Sequence, residues 1–329
     1  MEIRTMSLSL DRAVIDGFYA RSNIRLDTAV TYLAGVYDGD TLLALGGIAG
    51  NAIRSLAVDD GSRGEGLLPM LVSHLYQKLR DEGVPNVFVV TKPKYAPLFS
   101  SLCFYKRVQT TDAALLESRR DGLSGYLASL PKAEAAIVMN ADPFTNGHLY
   151  LVETAARHCG RLLVLVLSKD AANVPADVRI RLVREACSHL SNVFVAPGGD
   201  YVINSATFPD YFFKDKTDAA LAHARLDATL FAQQIAPACG ICVRYVGEEP
   251  LDPMTAAYNE ALLSILPAHG VDVRIIRRKT ENGTPISASH VRTLWRAGDY
   301  EAIRPLVPQP TMDYILSNAL EAQHPAGRN

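Results

Sequence analysis

No apolar run in this chain of 329 residues reaches the roughly 20 residues that span a bilayer, and the opening MEIRTMSLSLDRAVIDGF is too charged for a secretory leader. The expected location is therefore the cytoplasm, with no membrane partner. Cysteine is scarce and odd in number, five in all, which argues against a disulfide scaffold and fits a reducing compartment. A dominant charge is missing too: 33 Lys and Arg against 35 Asp and Glu leave a formal net charge of -2, and the basic residues are dispersed, so no field recruits nucleic acid. There is no internal repeat and no low-complexity tract, which excludes a repeat architecture. Metal signatures are absent as well. Cys239-Gly240-Ile241-Cys242 has no second cysteine pair and no H-x-x-x-H nearby, and it runs into the strand-like Val243, Tyr245 and Val246, so its thiols read as structural. His189, His223 and His269 belong to no ligand-like cluster and read as surface residues.

What is present is an ordinary globular composition, 48% hydrophobic and 21% charged, at a length that suits two domains. The first 130 or so residues read as α+β. A strand near Ile3 precedes an apolar-periodic helix at Arg12 to Tyr19. Thr31 to Tyr37 and Thr41 to Ile48 form a hairpin across Asp38-Gly39-Asp40, and a further strand covers Ile53 to Val58. Arg63-Gly64-Glu65-Gly66 then leads into a helix with Leu67, Met70, Leu71, His74, Leu75 and Leu79 on one face. Val87 to Thr91 is another strand, Ala113 to Arg120 reads as a helix, and Asp121 to Lys132, with Gly122, Gly125 and Pro131, reads as the join between domains 1–130 and 131–329.

The second domain opens on the stretch that organises the chain. Ala135 to Met139 is a buried strand ending at an Asn-Ala-Asp-Pro turn. Leu149, Val152, Ala156 and Cys159 recur at helical spacing, and Leu162 to Leu167 is a second buried strand, so the unit is a βαβ crossover. Helix at Asp177 to Leu190, strand at Val193 to Val195, strand at Ile241 to Val246, helix at Thr255 to Leu266 and strand at Val271 to Ile276 continue it. The expected fold class is α/β: a Rossmann-like parallel sheet flanked by helices, preceded by an α+β domain.

Thr145-Asn146-Gly147-His148 sits where the first strand of that sheet hands over to a helix. There backbone N–H groups face outward, a glycine lets a ligand approach, and residues three apart point the same way. This string resembles the T/H-x-G-H signature of the nucleotidyltransferase superfamily. Ile286-Ser287-Ala288-Ser289-His290-Val291-Arg292 resembles the second signature of that superfamily, with Ser287 as an expected N-cap and Arg292 in the following helix. The N-terminal order of elements is similar to the GNAT N-acetyltransferase fold. Arg63 and Gly66 match its R/Q-x-x-G-x-G/A loop, which in that fold takes a CoA pyrophosphate, but Leu68 and Cys103 stand where small residues are usual.

With the strings Ser168-Lys169-Asp170, Asp200 to Phe212, Val246-Gly247-Glu248-Glu249-Pro250 and Tyr258-Asn259-Glu260, the whole chain resembles the citrate lyase ligase family. That resemblance implies an acid-thiol ligase. ATP and acetate would form acetyl-adenylate and pyrophosphate, and the acetyl group would pass to the thiol of the phosphoribosyl-dephospho-CoA group on the acyl carrier (gamma) subunit of citrate lyase, releasing AMP. It implies that His148 and Thr145 hold the α and β phosphates and that Ser287, Ser289 and the fixed cation Arg292 hold the β and γ end. Asn140, Phe144, Gly147, Lys169 and Ile286 would complete the nucleotide site, with Gly247 and Glu248 near adenine or ribose. Mg²⁺ would bridge phosphate oxygens with few protein ligands. Asp142 departs from the Asn common in the family. The alternatives are an adenylyltransferase acting on a phosphomonoester such as phosphopantetheine, a GNAT-type acetyltransferase, and a non-catalytic assembly factor for the lyase.

Overall fold

The computed structural model describes residues 1–168, 173–202, 208, 209, 211, 213, 216–248 and 253–323. Lys169, Asp170, residues 203–207, Asp210, Phe212 and Glu249-Pro250 lie outside the described residues. The chain divides into two compact units, Met1–Gly125 with Thr207–Thr229, and Tyr126–Ala206 with Leu230–Asn329. The sequence reading has a single crossing near residue 130. The difference is the excursion of Thr207–Thr229, which joins the first unit where the Tyr211 carbonyl accepts the Arg25 N–H at 3.2 Å and Arg225 pairs with Asp112 at 2.8 Å.

In the first unit, β1 (Glu2–Met6), β2 (Tyr32–Asp38), β3 (Thr41–Ala49), β4 (Ala52–Val58), β5 (Phe88–Thr91), β6 (Tyr105–Gln109) and β7 (Ala114–Glu117) form one sheet of order β1-β2-β3-β4-β5-β7-β6. Helix Leu67–Asp81 covers it with the buried Leu67, Leu71, Leu75 and Leu79, the face expected from their spacing. The parallel strands β4 and β5 pair only at Ala52 and Phe88 and then part. A cavity of about 550 Å³ lies there, lined among others by Leu56, Val58, Arg63, Gly66, Leu68 and Val90.

One sequence expectation fails in this stretch. Ala113 to Arg120 is not a helix: Ala114, Leu115, Leu116 and Glu117 are all buried in β7 between β5 and β6, and burial on both faces overrides the helical propensity of Ala and Leu. Glu117 is satisfied there by Asn86, Arg107 and the Leu123 N–H. The expected join, in turn, contains the helix Gly122–Ser129.

The second unit contains a sheet of five parallel strands, β8 (Ala135–Met139), β9 (Leu162–Val166), β10 (Val193–Pro197), β11 (Val243–Gly247) and β12 (Asp272–Ile276), in the order β10-β9-β8-β11-β12. All five residues of β9 are fully buried, as a central strand covered on both faces requires, and each such Leu or Val contributes about 1.5–3 kcal/mol. The chain winds one way from β8 to β10 and the other way from β11 to β12. The order therefore reverses between β8 and β11, which is where open α/β sheets bind ligands, at the carboxyl ends of the strands. Here β8 and β11 pair only at their amino ends, Ala135 with Val243 and Ala136 with Arg244, and a crevice opens toward their carboxyl ends. Among the described residues no helix is long and apolar enough to cross a membrane.

Candidate active site

Beyond β8 the chain turns through Ala141, whose φ of +55 puts a small buried side chain in a left-handed conformation, and reaches helix Asn146–Ala156. Thr145 caps that helix: its Oγ1 accepts the His148 N–H at 3.3 Å, and the Thr145 N–H donates to His148 Nδ1 at 3.1 Å. The capping residue is 1% exposed. Its hydroxyl is engaged with His148, whose backbone N–H it accepts. Thr145 is the residue that orients the imidazole.

The consequence is a defined tautomer. With Nδ1 accepting a backbone N–H, the neutral ring carries its proton on Nε2, which becomes a hydrogen-bond donor at the mouth of the loop. Phe144, fully buried, stacks on the ring with centroids 5.7 Å apart and planes 15° from parallel. Removal of the imidazole from bulk water, followed by the positive field of Arg278, lowers the His148 pKa to about 4, while the residue as a whole is half-buried. The unfolded imidazole keeps its proton up to about pH 6.5 and the folded one releases it near 4, so the native state binds fewer protons in that window. The stability this shift contributes is complete above pH 6.5 and is lost as pH falls through 4. Titration of the His148 ring followed by NMR is expected to show a midpoint near pH 4 and no inflection between pH 6 and 8; a midpoint near 6.5 would contradict the environment described.

The second signature meets the first directly. Ile286 is buried, and a Cβ added at Gly147 would lie 3.2 Å from its carbonyl oxygen. Only a glycine allows the two segments this approach without displacement. Gly147→Ala is expected to push the Ile286 carbonyl back by a few tenths of an ångström and to raise KM for ATP several-fold; steady-state kinetics check this. Ser287 caps helix Ala288–Ala297 by accepting the His290 N–H at 3.2 Å, as expected, and Ser289 is exposed in its first turn. Arg292 on that helix donates from Nη1 to the Asp142 carbonyl, with the Asp142 carboxylate 3.9 Å away. Arg292 is thus tied to the loop that carries His148.

Asp142 itself points elsewhere. Its carboxylate accepts the Asn173 N–H at 3.1 Å, the Asn173 side-chain amide at 3.0 Å and the Val174 N–H at 2.9 Å, and the residue is 5% exposed. Its charge is absorbed by these donors, so it anchors the 173–174 segment. Asn140, expected at the nucleotide, is held in the same way: its carbonyl and its Oδ1 both accept from Nη1 of the buried Arg179. Gly247 ends β11 with its carbonyl bonded to the Asn259 side chain at 3.1 Å. Glu248 is exposed beyond it, its N–H donating to the Ile276 carbonyl and its own carbonyl accepting Arg278 Nε–H, each at 2.8 Å. Lys169 lies outside the described residues.

Sequence reasoning missed Arg278 and Arg179, since a basic residue beyond a strand and an arginine within an amphipathic helix carry no local signal. Among the described residues no group of three or more His, Cys, Asp or Glu is placed to hold a metal ion. Cys239 is buried and Cys242 exposed, both as free thiols, and burial pushes Cys239 up.

The arrangement offers a neutral N–H donor, a helix N-terminus and two arginines around a crevice at the carboxyl ends of parallel strands, which is suited to a polyphosphate. Comparison with known proteins gives the family. The family model described as "Citrate lyase ligase C-terminal domain" matches residues 134–315. The [citrate [pro-3S]-lyase] ligase of Klebsiella pneumoniae is 36% identical over 324 residues, covering 95% of this chain and 94% of that protein. The [citrate [pro-3S]-lyase] ligase of Escherichia coli K12 is 34% identical over 322 residues, covering 94% and 91%. Among solved structures, Thermotoga maritima TmcAL bound with alpha-thio ATP aligns at a TM-score of 0.36 and 16% identity, covering 57% of this chain and 56% of that one. Similarity of this level along nearly the full length, together with a family match over residues 134–315, leads to one conclusion: the chain belongs to the citrate lyase ligase family.

Proposed function

We propose that this enzyme activates acetate with ATP and delivers the acetyl group to the thiol on the acyl carrier subunit of citrate lyase. The observation that carries the reading is the contact of Gly147 with Ile286, which supports a single polyphosphate site built from both signatures.

In the first half-reaction an acetate oxygen attacks the α phosphorus, the bond from that phosphorus to the bridging oxygen breaks, and pyrophosphate leaves with the bond's electron pair. Oxide is a hopeless leaving group from acetate, whereas AMP is a good one from acetyl-adenylate. In the second half-reaction the thiolate attacks the acetyl carbon and AMP departs with the oxygen that came from acetate. Little covalent chemistry falls to the protein, which must position the groups and neutralise charge. His148 donates from Nε2 to an α or β phosphate oxygen as charge builds. Being neutral, it needs no proton from solvent to do so near pH 7. Arg292 holds the β and γ end from helix Ala288–Ala297, and the first turns of both capped helices present their N–H groups to phosphate oxygens.

Mg²⁺ enters as the phosphate complex of ATP. Asp142, the carboxylate nearest Arg292, already accepts three N–H bonds, so the chain fits an ion held by phosphate oxygens and water rather than by a protein cage. Pyrophosphate release measured with acetate, propionate and phosphopantetheine as acceptor tests the proposal. Release with acetate and none with the phosphomonoester is expected; the reverse would make the protein an adenylyltransferase.

A further inference from the structure

The crevice in the parallel sheet has a floor, and an arginine stands on it. β8 and β11 pair at Ala135 with Val243 and at Ala136 with Arg244, and from there toward their carboxyl ends the strands part. Alternation along β11 sends Tyr245 into the core with Ile137, Phe144 and Val152, so Arg244 lies on the other face of the sheet, where its guanidinium carbon sits 4.3 Å from the centre of the Phe231 ring. Phe231 opens the π-helical turn Phe231–Ile235, a conformation that proteins use in single turns and frequently at functional sites. Nη2 of Arg244 donates to the Tyr258 hydroxyl at 3.2 Å. Tyr258 belongs to helix Pro253–Ile265, and the next residue on that helix, Asn259, holds the Gly247 carbonyl at the carboxyl end of β11. The guanidinium is therefore drawn from the floor along the strand toward the open end. Arg244 is 1% exposed, yet its Nε and Nη1 have no hydrogen-bond partner, and the groups it touches, an aromatic ring and a phenol, are both uncharged. A buried cation without a counter-charge destabilises the chain that carries it, and an anion bound beside it removes that penalty.

We propose that Arg244 is the anchor for the carboxylate of the acid substrate. The inference rests on the adenylating reading above and deepens it by naming the residue that takes the acid, which neither signature contains. Geometry selects the ligand. The Phe231 ring covers a face of the guanidinium, whereas the N–H bonds lie in its plane, so the edge at Nη1 is open to an oxygen of another planar group, and the burial of the site suits a small acid. One carboxylate oxygen accepts from Nη1, and the other attacks the α phosphorus; the bond from phosphorus to the bridging oxygen breaks, and pyrophosphate leaves with its electron pair. The held oxygen becomes the carbonyl oxygen of acetyl-adenylate. When the thiolate adds to the acetyl carbon, the π electrons of that carbonyl move onto the same oxygen, which still faces the guanidinium, and they return as AMP departs. One fixed cation thus serves both half-reactions.

The test uses the full chain with Arg244→Met, which keeps much of the side chain's length and carries no N–H, and Arg244→Lys. It reads KM for acetate and for ATP in acetate-dependent ATP/pyrophosphate exchange, together with melting temperatures in sodium acetate, sodium phosphate and sodium chloride at equal ionic strength. The unmodified protein is expected to melt higher in acetate than in chloride. For Arg244→Met the expected result is at least a tenfold rise in KM for acetate, KM for ATP within twofold, and no gain in melting temperature from acetate. If Arg244→Met does not fold, Arg244→Lys decides the question, with at least a threefold rise in KM confined to acetate expected. Unchanged KM for acetate, or an equal rise in both KM values, would overturn the proposal and leave Arg244 as a brace between β11 and helix Pro253–Ile265. A melting gain that depends on Arg244 in phosphate, with none in acetate, would overturn it as well. Failure of the adenylating reading looks different: the unmodified protein would then show no acetate-dependent exchange, while the melting gain in acetate and its loss in Arg244→Met would stand.

Discussion

Replacing His148 by alanine is expected to lower the rate of acetate-dependent ATP/pyrophosphate exchange by about 10²-fold or more, the scale on which preorganised charge stabilisers act. The argument is geometric. The ring is held by Thr145 at Nδ1 and by the face of Phe144, so its Nε2–H is aimed before ATP arrives and no reorganisation is needed as the leaving pyrophosphate gains charge. The helix start keeps one half of its cap, because Thr145 Oγ1 still accepts the backbone N–H of residue 148, whereas the buried Thr145 N–H loses its partner, so a fall in melting temperature is expected beside the kinetic loss. A variant within twofold of the parent in that exchange assay would remove His148 from the mechanism.

The second large effect is expected at Arg292. Its guanidinium does two things from one position: Nη1 bonds the Asp142 carbonyl, and its charge lies beside the loop that carries His148. Arg292→Ala should lower kcat/KM for ATP by roughly 10²- to 10³-fold, combining a lost cation with a loop that loses a tie. Arg292→Lys should restore only a small part, since a single ammonium cannot serve the carbonyl and a phosphate together in the same plane. Steady-state kinetics at varied ATP measure this. Full recovery by lysine would mean that only the charge matters, which contradicts a positioned contact.

The strands β1 to β5 and all five strands of the second sheet were legible because their apolar runs and turn residues are local signals. Leu162 to Val166 reads as a buried strand from its composition alone, and the Asp38-Gly39-Asp40 turn fixes its hairpin. Ala114 to Glu117 was not legible, because what makes it a strand is its place between β5 and β6 and the partners of a buried carboxylate, both far away in sequence. The site followed the same division. Thr145, Gly147, His148, Ser287 and Arg292 stand in short strings whose spacing carries meaning. Sequence placed Thr145 correctly at the helix start, but its engagement with the imidazole appears only in three dimensions. Asp142 looked like a carboxylate set against phosphate until its oxygens were found on the N–H groups of Asn173 and Val174, some thirty residues downstream. Arg278 gave no sequence signal because its bond to the Glu248 carbonyl depends on the pairing of β11 with β12.

The central claim is that a carboxylate oxygen attacks the α phosphorus within the crevice between β8 and β11. Turnover with acetate labelled in both oxygens with ¹⁸O, followed by mass spectrometry of the products, tests it most directly. The account predicts one heavy oxygen in each AMP and none in pyrophosphate. Unlabelled AMP, with the heavy oxygen recovered in pyrophosphate or inorganic phosphate, would contradict it.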